Sequence, residues 1–185
     1  MVKTTIGYND PSSTTATGQV RTWKSGATTY TYAYDARGNI TSVSDGQSTT
    51  TYAYDSFDQL VRENNQAAGK TWTYAYDDGG KRISKTVNGT AYNYHYLGDQ
   101  LVELTWGGNK LHFTYDSTGP LSVNCNGTEY FYVKNAQGDV TGLVTTSGTR
   151  VVTYTYDAWG NPLSTTGSLA TTLGAQNPLR YRGYV

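Results

Sequence analysis

An aromatic doublet returns along this chain about every twenty residues, and no other feature limits the fold so sharply. The doublets are Tyr32/Tyr34, Tyr52/Tyr54, Tyr74/Tyr76, Tyr94/Tyr96, Phe113/Tyr115, Tyr130/Tyr132 and Tyr154/Tyr156. Their second members are spaced 20, 22, 20, 19, 17 and 24 residues apart. A second ladder, of aliphatic residues just after a turn, runs through Val20, Ile40, Leu60, Ile83, Leu101, Leu121, Val140 and Leu163. Two ladders with one period mean a tandem array of about eight supersecondary units, the first degenerate.

Each unit reads as a hairpin. Tyr-x-Tyr sets both rings on one face of a strand, because side chains alternate with a period of two. The residue between is often alanine (Ala33, Ala53, Ala75), so the other face stays small. A turn Asp-x-x-Gly follows, at Asp35 to Gly38, Asp77 to Gly80, Asp116 to Gly119 and Asp157 to Gly160. Asp bonds its own backbone two residues on, and Gly accepts positive φ at the fourth place. In the Asp55 turn Asp58 takes the glycine place, and Asn135 leads the turn that ends at Gly138. The turn after Tyr96 is shortened to Leu97-Gly98-Asp99. A return strand then runs to Asp45-Gly46, Asn88-Gly89, Asn126-Gly127 or Ser147-Gly148, dipeptides suited to primed hairpin turns. The expected fold class is all-β, an antiparallel strip of hairpin repeats that curls because sheets twist.

Composition agrees and removes several functions. Leu, Ile, Val and Phe make up 30 of the 185 residues, whereas Tyr and Thr make up 49. The core is therefore thin and carried by tyrosines, which bury a ring while keeping the hydroxyl hydrated. Lys plus Arg and Asp plus Glu balance at 14 each, which argues against a nucleic-acid groove or a polybasic membrane patch. The longest apolar run, Tyr130 to Val133, is too short for membrane insertion or a signal-peptide core.

Asp35, Asp55, Asp77, Asp116 and Asp157 read as turn caps, since one mechanism accounts for all five; calcium ligands or a glycosidase pair would need a different spacing. His95 and His112 lack partners at ligand spacing, so no metal and no cofactor is expected. Cys125 is the single cysteine and reads as a quiet thiol. Asn39, Asn88 and Asn126 head glycosylation-type strings that turn composition generates by itself.

The copies of Tyr-Ala-Tyr-Asp-Ala-Arg-Gly-Asn-Ile (32–40) resemble the YD repeat of the RHS/YD-repeat family, over roughly residues 28–163. The stretch from Tyr130, with Tyr154-Thr-Tyr-Asp-Ala-Trp-Gly-Asn-Pro-Leu163 and Asn177-Pro-Leu-Arg-Tyr-Arg-Gly-Tyr184, resembles the start of the RHS repeat-associated core. The resemblance implies part of an RHS-type β-shell, a spiral strip that encloses a polymorphic toxin or other protein cargo. In the family a self-cleaving acidic motif lies beyond the segment matched here, so the resemblance carries over no catalytic residue, and this chain is expected to be non-enzymatic.

The expected division is a degenerate first repeat with a loop (1–27, the loop at 11–18), the YD-repeat strip (28–163), and an irregular connection running into the core segment (164–185). Partners implied are the remainder of the shell, an enclosed toxin domain, and self-association through open β-edges. The location implied is secreted or cell-surface, as part of a larger protein. The alternative is a module for cell-wall glycan, using exposed tyrosines and Trp23, Trp72, Trp106 and Trp159. Tryptophans exposed in a row favour that alternative. Tyrosines buried as a ladder, rings stacked from repeat to repeat, favour the wall.

Overall fold

A computed structural model describes residues 4–8 and 18–183. Of the loop expected at 11–18 only Gly18 is among them, and Tyr184 and Val185 lie outside. The chain divides into two compact units, Met1–Ala91 and Tyr92–Val185. Each is an antiparallel meander whose strands lie in sequence order.

The first unit contains β1 (Thr4–Gly7), β2 (Thr22–Ser25), β3 (Thr28–Tyr34) and β4 (Ile40–Ser44). It continues with β5 (Thr49–Tyr54), β6 (Leu60–Asn65), β7 (Lys70–Tyr76) and β8 (Arg82–Val87). The second opens with β9 (Thr90–Leu97), β10 (Gln100–Trp106), β11 (Asn109–Asp116) and β12 (Gly119–Cys125). It closes with β13 (Thr128–Lys134), β14 (Val140–Thr145), β15 (Arg150–Tyr156) and β16 (Pro162–Thr166). The stretch expected as an irregular connection thus holds the end of β16. A one-turn helix α1 (Leu173–Gln176) and a 3-10 turn at Tyr181–Gly183 follow.

One side-chain oxygen organises most of the turns. Asp35 Oδ1 accepts the backbone N–H groups of Arg37 and Asn39, both at 2.9 Å. The same pair of bonds recurs at Asp55, Asp77, Asn135 and Asp157. Asp116 receives a backbone bond from Thr118, and its fifth position is Pro120, which has no N–H to give. The fourth place is left-handed, with Gly38 at φ 95° and Asp58, without glycine, at φ 63°. Among the second turns, both Asn-Gly pairs are primed, with φ of 46° and 87° at Asn88-Gly89 and 49° and 95° at Asn126-Gly127. At Asp45-Gly46 only the glycine has positive φ, because Asp45 Oδ1 holds a longer loop through the N–H groups of Gln47 and Ser48.

A β-bulge recurs at one place in every repeat after the first, whose β1–β2 pairing runs without a shift. Ala33 pairs with Ser42 but Tyr34 with Ile40, which leaves Thr41 without an opposite number. The same step leaves out Val61, Ile83, Val102, Leu121, Thr141 and Leu163. A bulge bends its strand and raises the local right-handed twist. It also splits the aliphatic ladder. Ile40, Leu60 and Leu101 pair with a tyrosine, whereas Ile83, Leu121 and Leu163 occupy bulges and are 40%, 38% and 67% exposed. In those three repeats the place opposite tyrosine goes to Arg82, Pro120 and Pro162.

The two units bury their tyrosine faces differently. Among the described residues of the first, none is fully buried, and Tyr32, Tyr34, Tyr52, Tyr54, Tyr74 and Tyr76 are half-buried while Ala33, Ala53 and Ala75 are exposed. The second has a closed core, in which Leu101, Leu104, Leu111, Phe113, Val123, Leu143 and Val152 meet Leu173 and Leu179 from the C-terminal segment.

Candidate functional site

The candidate site is the tyrosine face. In the first unit, strand pairing sets Val43 beside Tyr32, Glu63 beside Tyr52 and Trp72, Lys85 beside Tyr74 and Arg82 beside Tyr76. Three charged side chains therefore share this face with the rings. Partial burial and then the Glu63 charge raise the Tyr52 phenol, while burial and then Arg82 lower the Lys85 ammonium. The face is hydroxyl-rich, half-hydrated and close to neutral.

The repeats are linked by hydroxyls. Tyr34 donates to the Val20 carbonyl at 2.7 Å, Tyr76 to Leu60 at 2.8 Å, Tyr115 to Leu101 at 2.7 Å and Tyr156 to Val140 at 2.8 Å. Every acceptor belongs to the aliphatic ladder, and Leu60, Leu101 and Val140 lie where a bulge interrupts the sheet's own pairing. Two ring stacks lie within hairpins: Trp23 on Tyr30 at 5.1 Å, and Trp106 on Tyr92 at 5.8 Å. Turn tips are also laced together. Arg37 donates to the carbonyls of Asp55 and Ser56 and lies 2.9 Å from the Asp58 carboxylate.

In the second unit residues 167–183 lie over the tyrosine face. Asn177, 1% exposed, is the clasp. Its Oδ1 accepts the Tyr132 hydroxyl at 2.7 Å, and its Nδ2 donates to the Leu179 carbonyl at 2.7 Å and the Tyr154 hydroxyl at 3.3 Å. Tyr154 donates in turn to the Gly174 carbonyl at 2.9 Å. Arg180 donates to the carbonyls of Gly174 and Ala175 in α1, and its guanidinium lies 5.1 Å from the centre of the Tyr154 ring. Tyr181 meets Tyr156 edge-on at 5.7 Å. Asn177-Pro-Leu-Arg-Tyr is thus a clamp on the tyrosines, a role that no local spacing in the sequence encodes.

Burial raises Tyr115 and Tyr156 to about 12, with the neighbouring Tyr96 and Tyr154 adding to it. An unfolded tyrosine ionises near 10, at about the ordinary phenol value. Between those values the unfolded chain has released protons that the folded chain retains. This contribution to stability is therefore complete below pH 10 and is lost as pH rises through 12. An ultraviolet titration should show two tyrosine classes, with the late class ionising as the fold is lost. A single class near 10 would contradict the burial of these rings.

The other residues singled out in the sequence lie elsewhere. Gly38, Gly80, Gly119, Gly138 and Gly160 stand in turns, each with positive φ. His95 and His112 are exposed, and Cys125 is half-buried with its thiol raised by burial. Asn88 and Asn126 spend their Oδ1 atoms on the N–H groups of Thr71 and Lys110. Trp23, Trp72 and Trp106 are half-buried and Trp159, at a turn tip, is 87% exposed, so the tryptophans do not form an exposed row.

The RHS Repeat family model matches residues 34–65, 54–91 and 135–172, together just over half of the chain. The tRNA3(Ser)-specific nuclease WapA of Bacillus spizizenii is 46% identical over 114 residues, 59% of this chain. The tRNA nuclease WapA of Bacillus subtilis is 40% identical over a stretch of the same length. This chain spans about 5% of the length of either relative. Among solved structures, a chain of TcdB2-TccC3 without its hypervariable C-terminal region matches at a TM-score of 0.53 and 16% identity. The match covers 85% of this chain and 10% of that one. A chain of the TcdB2-TccC3-Cdc42 structure matches at 0.51 over 81% of this chain and 9% of its own length, again at 16% identity.

Proposed function

This chain belongs to the RHS repeat family, and from that premise we propose that it forms part of the wall of a shell enclosing a protein cargo, such as a toxin domain. The observation that carries the reading is the bulge at one position in each of the seven repeats after the first, a device that bends a strand and raises its twist. Enclosure needs no chemistry from the wall. A face of half-hydrated tyrosines, with Glu63, Arg82 and Lys85 among them, offers an enclosed chain no continuous apolar surface to stick to. The partners are the remainder of the shell and its cargo, and the location is outside the cell as part of a larger secreted protein. The tryptophans' partial burial and dispersal favour a wall over a glycan-binding ridge.

The test is a graft. This chain replaces the stretch it matches in the Bacillus spizizenii relative, and added protease then challenges the C-terminal part of that protein. Slow cleavage in parent and graft alike, against fast cleavage of the same part expressed alone, is expected. Cleavage as fast in the graft as in the free part would contradict the wall.

A further inference from the structure

The second unit holds a cavity of about 390 Å³ between α1 and the ends of two hairpins, bounded by Trp106, Leu111, Cys125 and Leu173. That volume is of the order of small-ligand sites. Its lining contains no carboxylate, ammonium, guanidinium or imidazole, so it has no ionic hold on a phosphate, a metal ion or an acidic ligand. What it offers is one indole, an apolar floor, and a set of neutral amides and hydroxyls.

Two features suit it to a ligand with hydroxyls on a flat ring. Trp106 is held by stacking on Tyr92, with planes 13° apart, so the indole is fixed before any ligand arrives. The polar groups also have capacity to spare. Among the described residues the Gln176 side-chain amide and the Thr171 hydroxyl make no hydrogen bond. Asn109 Oδ1 accepts from Asn126 Nδ2 at 3.0 Å, which leaves one lone pair, and its Nδ2 reaches the Gly107 carbonyl only at 3.5 Å. The open Gln176 amide and Thr171 hydroxyl, with the remaining hydrogen-bonding capacity of Asn109, match the alternating hydroxyls of a sugar.

We propose that this cavity binds one or two pyranose rings of a neutral saccharide, with the ring's C–H face against Trp106 and its hydroxyls on Gln176, Asn109 and Thr171. The proposal is independent of the wall reading: the cavity lies within one unit, and neither stands or falls with the other.

Cys125, the single cysteine, lines the cavity and serves as the probe. Its alkylation by iodoacetamide is timed in the intact chain with maltose, cellobiose or N,N′-diacetylchitobiose, and with adenosine for comparison. A bound saccharide covers the thiol, so one of the three should slow alkylation about tenfold at nine times its Kd. Trp106→Ala should abolish the slowing. Gln176→Ala, which removes an amide without a partner in the fold, should raise the concentration required by about tenfold, the worth of one lost hydrogen bond. No slowing by any saccharide at concentrations of tens of millimolar, about the weakest useful affinity, would overturn the proposal. Slowing that survives both substitutions, or slowing by adenosine alone, would overturn it too.

Discussion

Replacing Asn177 with leucine should destabilise the second unit by roughly 3–5 kcal/mol, the sum of the groups it leaves without partners in a closed core. Leucine has as many side-chain heavy atoms with the same branching and is the bulkier of the two, so no cavity opens and the loss comes chiefly from the hydrogen bonds. The Tyr132 hydroxyl loses its acceptor, the Leu179 carbonyl loses its donor, and Tyr154 keeps only its bond to Gly174. Tyr132 is 8% exposed and Leu179 is 1% exposed, so water does not replace what is lost. Tyr132→Phe removes one partner of one bond and should cost less, about 1–2 kcal/mol. The double variant should cost less than the two single changes added together, because the orphaned hydroxyl is then gone. Urea denaturation followed by near-ultraviolet circular dichroism measures all three. Strict additivity, or a loss for Asn177→Leu below about 1 kcal/mol, would mean that the clasp is incidental.

The second large effect is expected at Gly142. This residue pairs with Val133 on one side and Thr153 on the other, next to the extra bulge at Val151. A Cβ there would collide with the Val152 carbonyl oxygen, a backbone atom held by the sheet. Gly142→Ala should therefore cost about 3 kcal/mol, the range for forcing volume into a packed interior. Gly148 is the comparison. Its φ is 83°, but a Cβ there meets nothing within 4 Å, so Gly148→Ala carries only the conformational cost of about 1 kcal/mol. Equal losses at the two positions would show that β14 and β15 do not approach as closely as the sheet requires.

Much of this fold is local and was therefore readable. The tyrosine doublets, the turn-capping Asp residues and the hairpin period each depend on a few neighbouring residues. The bulge was not readable, because it is a property of register between two strands. Its positions hold Thr41, Val61, Ile83, Val102, Leu121, Thr141 and Leu163, branched residues of the kind that regular strand positions also carry, so none of them marks the bulge. For the same reason the aliphatic ladder read as one line although it mixes ring-paired and bulged positions. The cover over the second unit is long-range, since Asn177 reaches Tyr132 across 45 residues. The 164–176 stretch has no period of its own, and its order comes from the tyrosines it sits on. Repeat-to-repeat contact was expected between rings; the hydroxyl-to-carbonyl bonds of Tyr34, Tyr76, Tyr115 and Tyr156 were not, because their acceptors lie 14 or 16 residues away in the chain.

The wall reading makes one demand above all: the tyrosine face looks inward and the alanine face outward. Single cysteines at Val43 or Thr50, on the tyrosine face, and at Ala53 or Thr73, on the other, test this in the grafted relative with Cys125→Ser as background. A maleimide carried on a long polyethylene glycol should label Ala53→Cys and Thr73→Cys rapidly and spare Val43→Cys and Thr50→Cys, whereas in the isolated chain all four should react. Equal labelling of the two faces within the graft would contradict the account.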